Sequence, residues 1–200
     1  MGVVRTIPVG ARACLVEVGD AEAAASLAAW ARASGLVADD VVPAATTVLF
    51  DGVDPVAVHA ALPHWARESP SDSRPSVRVP VRYGGPDLER VAEHWGCSPD
   101  EVVARHVATG FTSLFCGFAP GFAYLGGLAD DLAVPRLDTP RARVEPGSVA
   151  LADRWCGIYP TASPGGWLLI GTTDARLWDP EREQPALLAP GTRVRFEVAG

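Results

Sequence analysis

The residues of this chain best suited to chemistry gather in four loop-like stretches of its second half. The first, residues 117–124, reads Gly-Phe-Ala-Pro-Gly-Phe-Ala-Tyr. Pro120 fixes φ and Gly121 permits positive φ, so a strand running through 111–118 must turn sharply there and bare backbone N–H groups between aromatic side chains. Such a segment either lines a ligand or forms a tight core hairpin. The second stretch carries Arg136, Arg141 and Arg143. Like charges so close need compensation, either from Asp138 and Glu145 as a solvated ion-pair network or from a bound anion. The third is Gly147 with Ser148, a hydroxyl beside a permissive backbone. The fourth, residues 157–167, holds Tyr159 and a Ser163-Pro164-Gly165-Gly166 run ahead of Trp167, which predicts a turn. That turn is either a nest of N–H groups for a carboxylate or phosphate, or plain punctuation before a strand.

His106 is the remaining candidate. It shares one face of a predicted helix with Val102, Val103 and Val107 and directly precedes the 111–128 stretch. A histidine there is either a hydrogen-bonded core residue or a proton donor and acceptor. Ser148 and Ser163 have no base at a telling spacing, and no G-x-S-x-G elbow exists, so a serine-hydrolase triad has little support. Cys14, Cys97, Cys116 and Cys156 are scattered without a C-x-x-C pair, and His59, His64, His94 and His106 make no metal-ligand spacing; reduced cysteines and no metal are expected.

Composition excludes further chemistries. All 17 basic residues are arginine, so a lysine Schiff base, a lysine nucleophile and a Walker-type phosphate loop are impossible, and any bound anion must be held by guanidinium or backbone N–H. The net charge of -7 argues against nucleic acid, which demands a basic face. No apolar run approaches the ~20 residues of a membrane helix, and no signal pattern opens the chain, so a cytoplasmic location without membrane attachment is expected.

The elements that must position these residues fall in two groups. Alternation predicts strands over 3–9, 12–18 and 46–51. Asp20 caps a helix over 21–33 closed by Gly35, and Pro55 starts a second running to about residue 68, kinked at Pro63 and burying Val58, Leu62 and Trp65. This is a small α+β unit of the split β-α-β kind. A polar, proline-rich segment over 69–76 marks a boundary between domains 1–76 and 77–200. A strand over 77–83 follows, with Pro80 marking an edge or bulge. Then come helices over 87–95 and, behind the capping box Ser98–Glu101, over 102–109. Short apolar runs at 147–152, 157–160, 166–171 and 192–198, split by Gly and Pro, predict a closed or nearly closed β-barrel.

Taken together and in this order, the motifs at 117–127, Pro135-Arg136, Pro140-Arg141, 147–149, 157–160, 163–167 and 188–196 resemble the family of the 5-oxoprolinase B component or KipI, also called allophanate hydrolase subunit 1, whose module recurs in the carboxyltransferase part of urea carboxylase. The resemblance implies an α+β domain followed by a cyclophilin-like β-barrel. It implies ATP-dependent opening of 5-oxo-L-proline to glutamate, with ATP bound at the level of the complex and the C and A components of the enzyme as partners. Alternatives within the same resemblance are a KipI-type inhibitor of a sensor histidine kinase and a carboxyltransferase component acting on allophanate or urea. Carried over by position, His106, Arg136, Arg141 and Ser148 become catalytic candidates, and Phe118, Pro120, Gly121, Tyr124, Tyr159, Ser163, Gly165, Gly166 and Trp167 line the small amide or carboxylate substrate. The chain departs from the family at Thr172, usually Arg, and at Trp155 and Cys156, usually a Gln-Thr pair.

Overall fold

The computed structural model describes residues 5–67 and 75–200. The chain divides into two units, residues 1–73 and 74–200. The polar segment expected over 69–76 lies mostly outside the described residues, as do the first residues of the strand expected over 3–9 and the end of the helix expected to reach residue 68.

In the first unit β1 (Arg5–Pro8), β2 (Ala13–Glu17), β3 (Asp40–Pro43) and β4 (Thr47–Asp51) form an antiparallel sheet ordered β1-β2-β4-β3. The helix α1 (Ala21–Ala33) begins where the Asp20 carboxylate accepts from the Ala23 N–H at 2.7 Å. Its Ala24, Leu27, Ala28 and Ala31 pack on Cys14, Val16, Val48 and Phe50, the alternate residues of the central strands. The second helix, α2 (Pro55–Ala61), is shorter than expected. Pro63 ends regular α-helix, and Leu62–His64 tighten into a 3₁₀ turn that leaves Leu62 and Trp65 only partly buried, while Val58 is fully so. The strand β3 is an addition to the predicted elements, because its four residues are split between polar and apolar and end on a proline.

The second unit is a closed barrel. Its strands are β5 (Ser76–Tyr83), β6 (Phe111–Cys116), β7 (Ala123–Gly126), β9 (Ser148–Ala152), β10 (Trp155–Ile158), β12 (Leu168–Thr172) and β13 (Arg193–Val198), in the order β10-β7-β6-β13-β5-β12-β9 with β9 pairing back to β10. Only β13 and β5 run parallel. A two-stranded ribbon, β8 (Arg141–Val144) with β11 (Ser163–Gly165), stands apart from the barrel sheet. Pro80 does not mark an edge: β5 lies between β13 and β12. Its pairing with β12 begins only at Arg82, so the missing Pro80 N–H leaves no vacant rung in that ladder.

Helices α3 (Leu88–Trp95) and α4 (Pro99–Ala108) pack on the barrel, contributing Val91, Ala92 and Val102 to its core. The capping box is formed in full: the Ser98 hydroxyl accepts from the Glu101 N–H, and the Glu101 carboxylate accepts from the Ser98 N–H at 2.8 Å.

Between β5 and α3 the chain hugs β12. The Gly85 N–H donates to the Ile170 carbonyl, and a Cβ on Gly85 would lie 2.4 Å from the Leu169 carbonyl oxygen. The obstacle is backbone on a barrel strand, which cannot swing aside. Gly85→Ala is therefore expected to destabilise the barrel by at least ~1–3 kcal/mol, seen as a lowered urea midpoint with an unchanged m-value.

Candidate binding site

Period-two alternation sorts the barrel residues onto two faces. Ala123, Leu125, Val149, Leu151, Cys156, Ile158, Leu168 and Ile170 fill the interior. Their neighbours Phe122, Tyr124, Ala150, Ala152, Trp155, Tyr159, Trp167 and Leu169 form a second, outer cluster. The outer face thus carries aromatic rings that meet edge to face, Phe122 5.4 Å from both Tyr159 and Trp167 and Tyr124 5.6 Å from Trp167, with Phe122, Tyr159 and Trp167 themselves buried. This packing depends on missing side chains. A Cβ on Gly157 would come 2.9 Å from the Phe122 ring and 3.0 Å from the Trp167 ring, and one on Gly165 would strike the Tyr159 hydroxyl.

The hairpin between β6 and β7 overhangs this face. Gly121 takes φ of 87° and is buried against Leu177 and Trp178, while Pro120 is exposed beside it. Phe118 takes φ of 71° and is 62% exposed, its ring 5.4 Å from Phe122 and 6.3 Å from Tyr159.

Of the three clustered arginines, two are engaged. The Arg141 guanidinium donates to Asp87 at 2.7 Å, where the Asp87 side chain is only 7% exposed. The other Asp87 oxygen accepts from the Leu169 N–H at 2.7 Å. Breaking such a pair strands a buried carboxylate at a cost of ~3–5 kcal/mol, so Arg141 is held as a structural clip between β8 and the start of α3. Arg143 pairs with Glu145 at 2.6 Å, both exposed. Arg136 is exposed and, among the described residues, makes no hydrogen bond or ion pair. Its position is fixed by the next residue: the Leu137 N–H donates to the Gly166 carbonyl at 2.7 Å, beside Trp167. Burial raises the pKa of both Tyr124 and Tyr159, outweighing the opposite pull of the Arg136 charge on each. Both phenols are therefore neutral at pH 7; Tyr159 is buried, while Tyr124 is partly exposed and Arg136 is the free cation near them among the described residues.

Several residues expected at the site have other employment. The 163–166 run is not a nest: Ser163 and Gly165 pair with Val144 and Arg141 as strand β11, which commits the backbone to the ribbon. The Ser163 hydroxyl is buried there without a hydrogen-bond partner. Ser148 is 4% exposed and donates to the Glu145 carbonyl at 2.7 Å, so its hydroxyl is spent locally. His106 points into the barrel interior and is fully buried between Phe111 and Phe196, at ring distances of 5.1 and 4.4 Å. Its Nδ1 is 2.7 Å from the Tyr83 hydroxyl and its Nε2 is 3.4 Å from Cys156 Sγ. Burial lowers its pKa to about 3 and pushes those of the Tyr83 phenol and the Cys156 thiol up. His106 is thus a neutral link across the core, remote from the aromatic outer face.

Asp87, Tyr83 and Cys156 escape sequence reasoning. Asp87 opens the helix expected over 87–95, but its side chain makes no cap bond and turns to Arg141 and Leu169 instead. The available signal is an acid behind Gly84-Gly85-Pro86 in a chain whose cations are all arginine. Among the described residues no group of three or more His, Cys, Asp or Glu is placed to hold a metal ion, all four cysteines are free, and no helix is long and apolar enough to cross a membrane.

Residues 4–188 match the family model described as carboxyltransferase domain, subdomain C and D, and the chain belongs to that family. It is 43% identical over 157 residues to a protein named as the B subunit of 5-oxoprolinase from Escherichia coli, covering 75% of this chain and 72% of that one. A Bacillus subtilis protein of the same name is 43% identical over 127 residues, 62% of this chain and 53% of its own length. The crystal structure of TTHA0988 superposes with a TM-score of 0.79 at 36% identity, covering 94% of this chain; the chain spans only 40% of that longer one. Kluyveromyces lactis urea carboxylase shares the fold with a TM-score of 0.78 at 18% identity, over 100% of this chain and 22% of that one.

The His106 network has a testable sign. In the native state the imidazole stays neutral down to about pH 3, whereas unfolded it takes a proton near its ordinary 6.5. The unfolded state therefore binds more protons between those values, and stability falls as pH drops through that window. Urea titrations at pH 7, 5.5 and 4.5 should show the native chain losing more stability than His106→Gln, which cannot titrate; parallel losses would contradict the buried neutral state.

Proposed function

We propose that this chain is the B component of an ATP-dependent 5-oxoprolinase, part of a hydrolase that opens the cyclic amide of 5-oxo-L-proline to glutamate in complex with the C and A components. The observation that carries the reading is the 43% identity over 75% of the chain to a protein named as the B subunit of 5-oxoprolinase. The chemistry of the outer face agrees with it. A substrate with a carboxylate and a planar amide needs a cation, hydrogen-bond donors and a flat apolar surface. Arg136 supplies the first, the partly exposed Tyr124 the second, and the exposed Phe118 ring the third, with Phe122, Tyr159 and Trp167 buried beneath it.

ATP binding is assigned to the complex. Residues 163–165 are strand and offer no backbone cradle for a triphosphate, and in a chain without lysine Arg136 is the one free guanidinium beside them among the described residues. In this reading the chain binds and orients the cyclic carboxylate, and the partners contribute the nucleotide site. Arg141, tied to Asp87, shapes the rim near Trp167 without meeting substrate.

The test is 5-oxoproline-dependent ATP hydrolysis by the chain alone and co-purified with its partner proteins. Glutamate should form only in the assembled mixture, and a stable complex that turns over nothing would refute the assignment. In that assembly Arg136→Ala should lower kcat/KM about 10- to 100-fold, the loss of a charge-assisted contact, with an unchanged melting temperature.

A further inference from the structure

Phe118 is held in a backbone conformation that its side chain disfavours. With φ at 71° and the Ala119 N–H donating to the Gly117 carbonyl at 2.9 Å, residues 117–119 form a γ-turn of the positive-φ type, rare and strained for any residue with a Cβ. The position is flanked by glycine at 117 and followed by another at 121, so glycine was available to the local sequence, yet the strained site is phenylalanine. The turn is clamped from both sides: the Gly117 N–H donates to the Phe122 carbonyl at 3.2 Å, and the Phe122 N–H to the Ala119 carbonyl at 3.0 Å. Strain of this kind persists where the surroundings enforce it and clusters at ligand-binding positions.

Burial does not account for the side chain. The ring is 62% exposed and touches its neighbours only edge to face, Phe122 at 5.4 Å and Tyr159 at 6.3 Å. Aromatic rings carry a large contact area that water solvates poorly, so a strained, clamped and exposed ring is a surface held ready for something flat. Tyr159 lies beneath the ring, and Gly166 anchors the segment that carries Arg136, whose charge acts on Tyr159. A guanidinium fork matches a carboxylate bidentately, as it does a phosphate, and of the two the 5-oxoprolinase reading supplies the carboxylate.

We propose that Phe118 is a specificity-determining residue, the aromatic wall of the Arg136–Tyr159 face, which selects a carboxylate borne on a flat, compact ring over an open-chain amide carboxylate of the same charge. This deepens the 5-oxoprolinase reading and rests on it for the location of the site. Arg136 recognises the charge and Phe118 the shape. The γ-turn sets the ring in place before the ligand arrives, so no ordering of a long side chain opposes binding.

The experiment titrates the whole 200-residue chain with pyrrole-2-carboxylate and with N-acetylglycine by calorimetry, for wild type, Phe118→Ala and Phe118→Gly. Wild type should prefer the ring carboxylate about 10-fold or more, the scale of one stacking contact. Both variants should lose most of that preference while N-acetylglycine binding changes less than about 2-fold, since Arg136 is untouched. Phe118→Gly should also melt about 2–6 °C above Phe118→Ala, because glycine relieves the turn. An unaltered preference in both variants overturns the proposal, as does a wild-type chain that binds neither compound at millimolar concentration. Turnover by the assembled enzyme separates the two readings. Preference retained in Phe118→Ala alongside an active wild-type complex discards the wall and keeps the enzyme. Preference lost in Phe118→Ala alongside an inactive wild-type complex keeps the wall and discards 5-oxoproline as the substrate.

Discussion

A closed barrel has a single interior, and a strand sends every second residue away from it. That constraint governs the second unit. Strands β7, β9, β10 and β12 are buried on both faces, so the outward residues Phe122, Tyr124, Ala150, Trp155, Tyr159 and Trp167, on these strands or flanking them, need a cover that the barrel itself does not provide. The cover is partly intramolecular, from the β8–β11 ribbon and the β6–β7 hairpin, and partly left open at Phe118 and Arg136. The same alternation that fills the core with Val, Leu and Ile thus builds a second, covered aromatic cluster with Phe118 and Arg136 open at its rim.

Polar groups inside this unit are few, and the two that matter most have fixed partners. Asp87 is satisfied by Arg141 and by the Leu169 N–H, and His106 by Tyr83 and Cys156. These partnerships decide the division of labour. A guanidinium bound to a buried carboxylate is too costly to recruit for a ligand, and an imidazole enclosed by Phe111 and Phe196 meets no solvent. What is left for recognition lies at the rim: a free cation, the partly exposed Tyr124 phenol and a displayed ring.

The sequence alone conveyed the α+β unit, the closed barrel, the capping box of α4 and the sharp turn at Pro120, because these are written in local periods and in Gly and Pro. The strand β3 and the early end of α2 were not legible, since four mixed residues carry no period and a proline within a helix fixes a break only to within a turn. At the site, the aromatics and the arginine cluster stood out, but which arginine is free depends on Asp87, more than fifty residues upstream and joined to Arg141 only by the fold. His106 was ambiguous for a physical reason: an apolar helix face looks the same whether it turns to a core or to a cleft. The Ser163–Gly166 run misled because Gly and Pro that usually punctuate turns here serve a short ribbon strand in which Gly165 gives way to the Tyr159 ring.

The central claim is that ligand binds at the rim of the outer aromatic cluster, where Phe118 and Arg136 are exposed. The chain has six tryptophans, which supply indole N–H signals spread over both units. Adding 5-oxo-L-proline to the whole chain and following those signals by NMR tests the claim directly. The account predicts shifts at Trp167 and Trp155, with Trp30 and Trp65 of the first unit unmoved. Shifts confined to Trp30, Trp65 or Trp95, or no shift at any indole at saturating ligand, would contradict it.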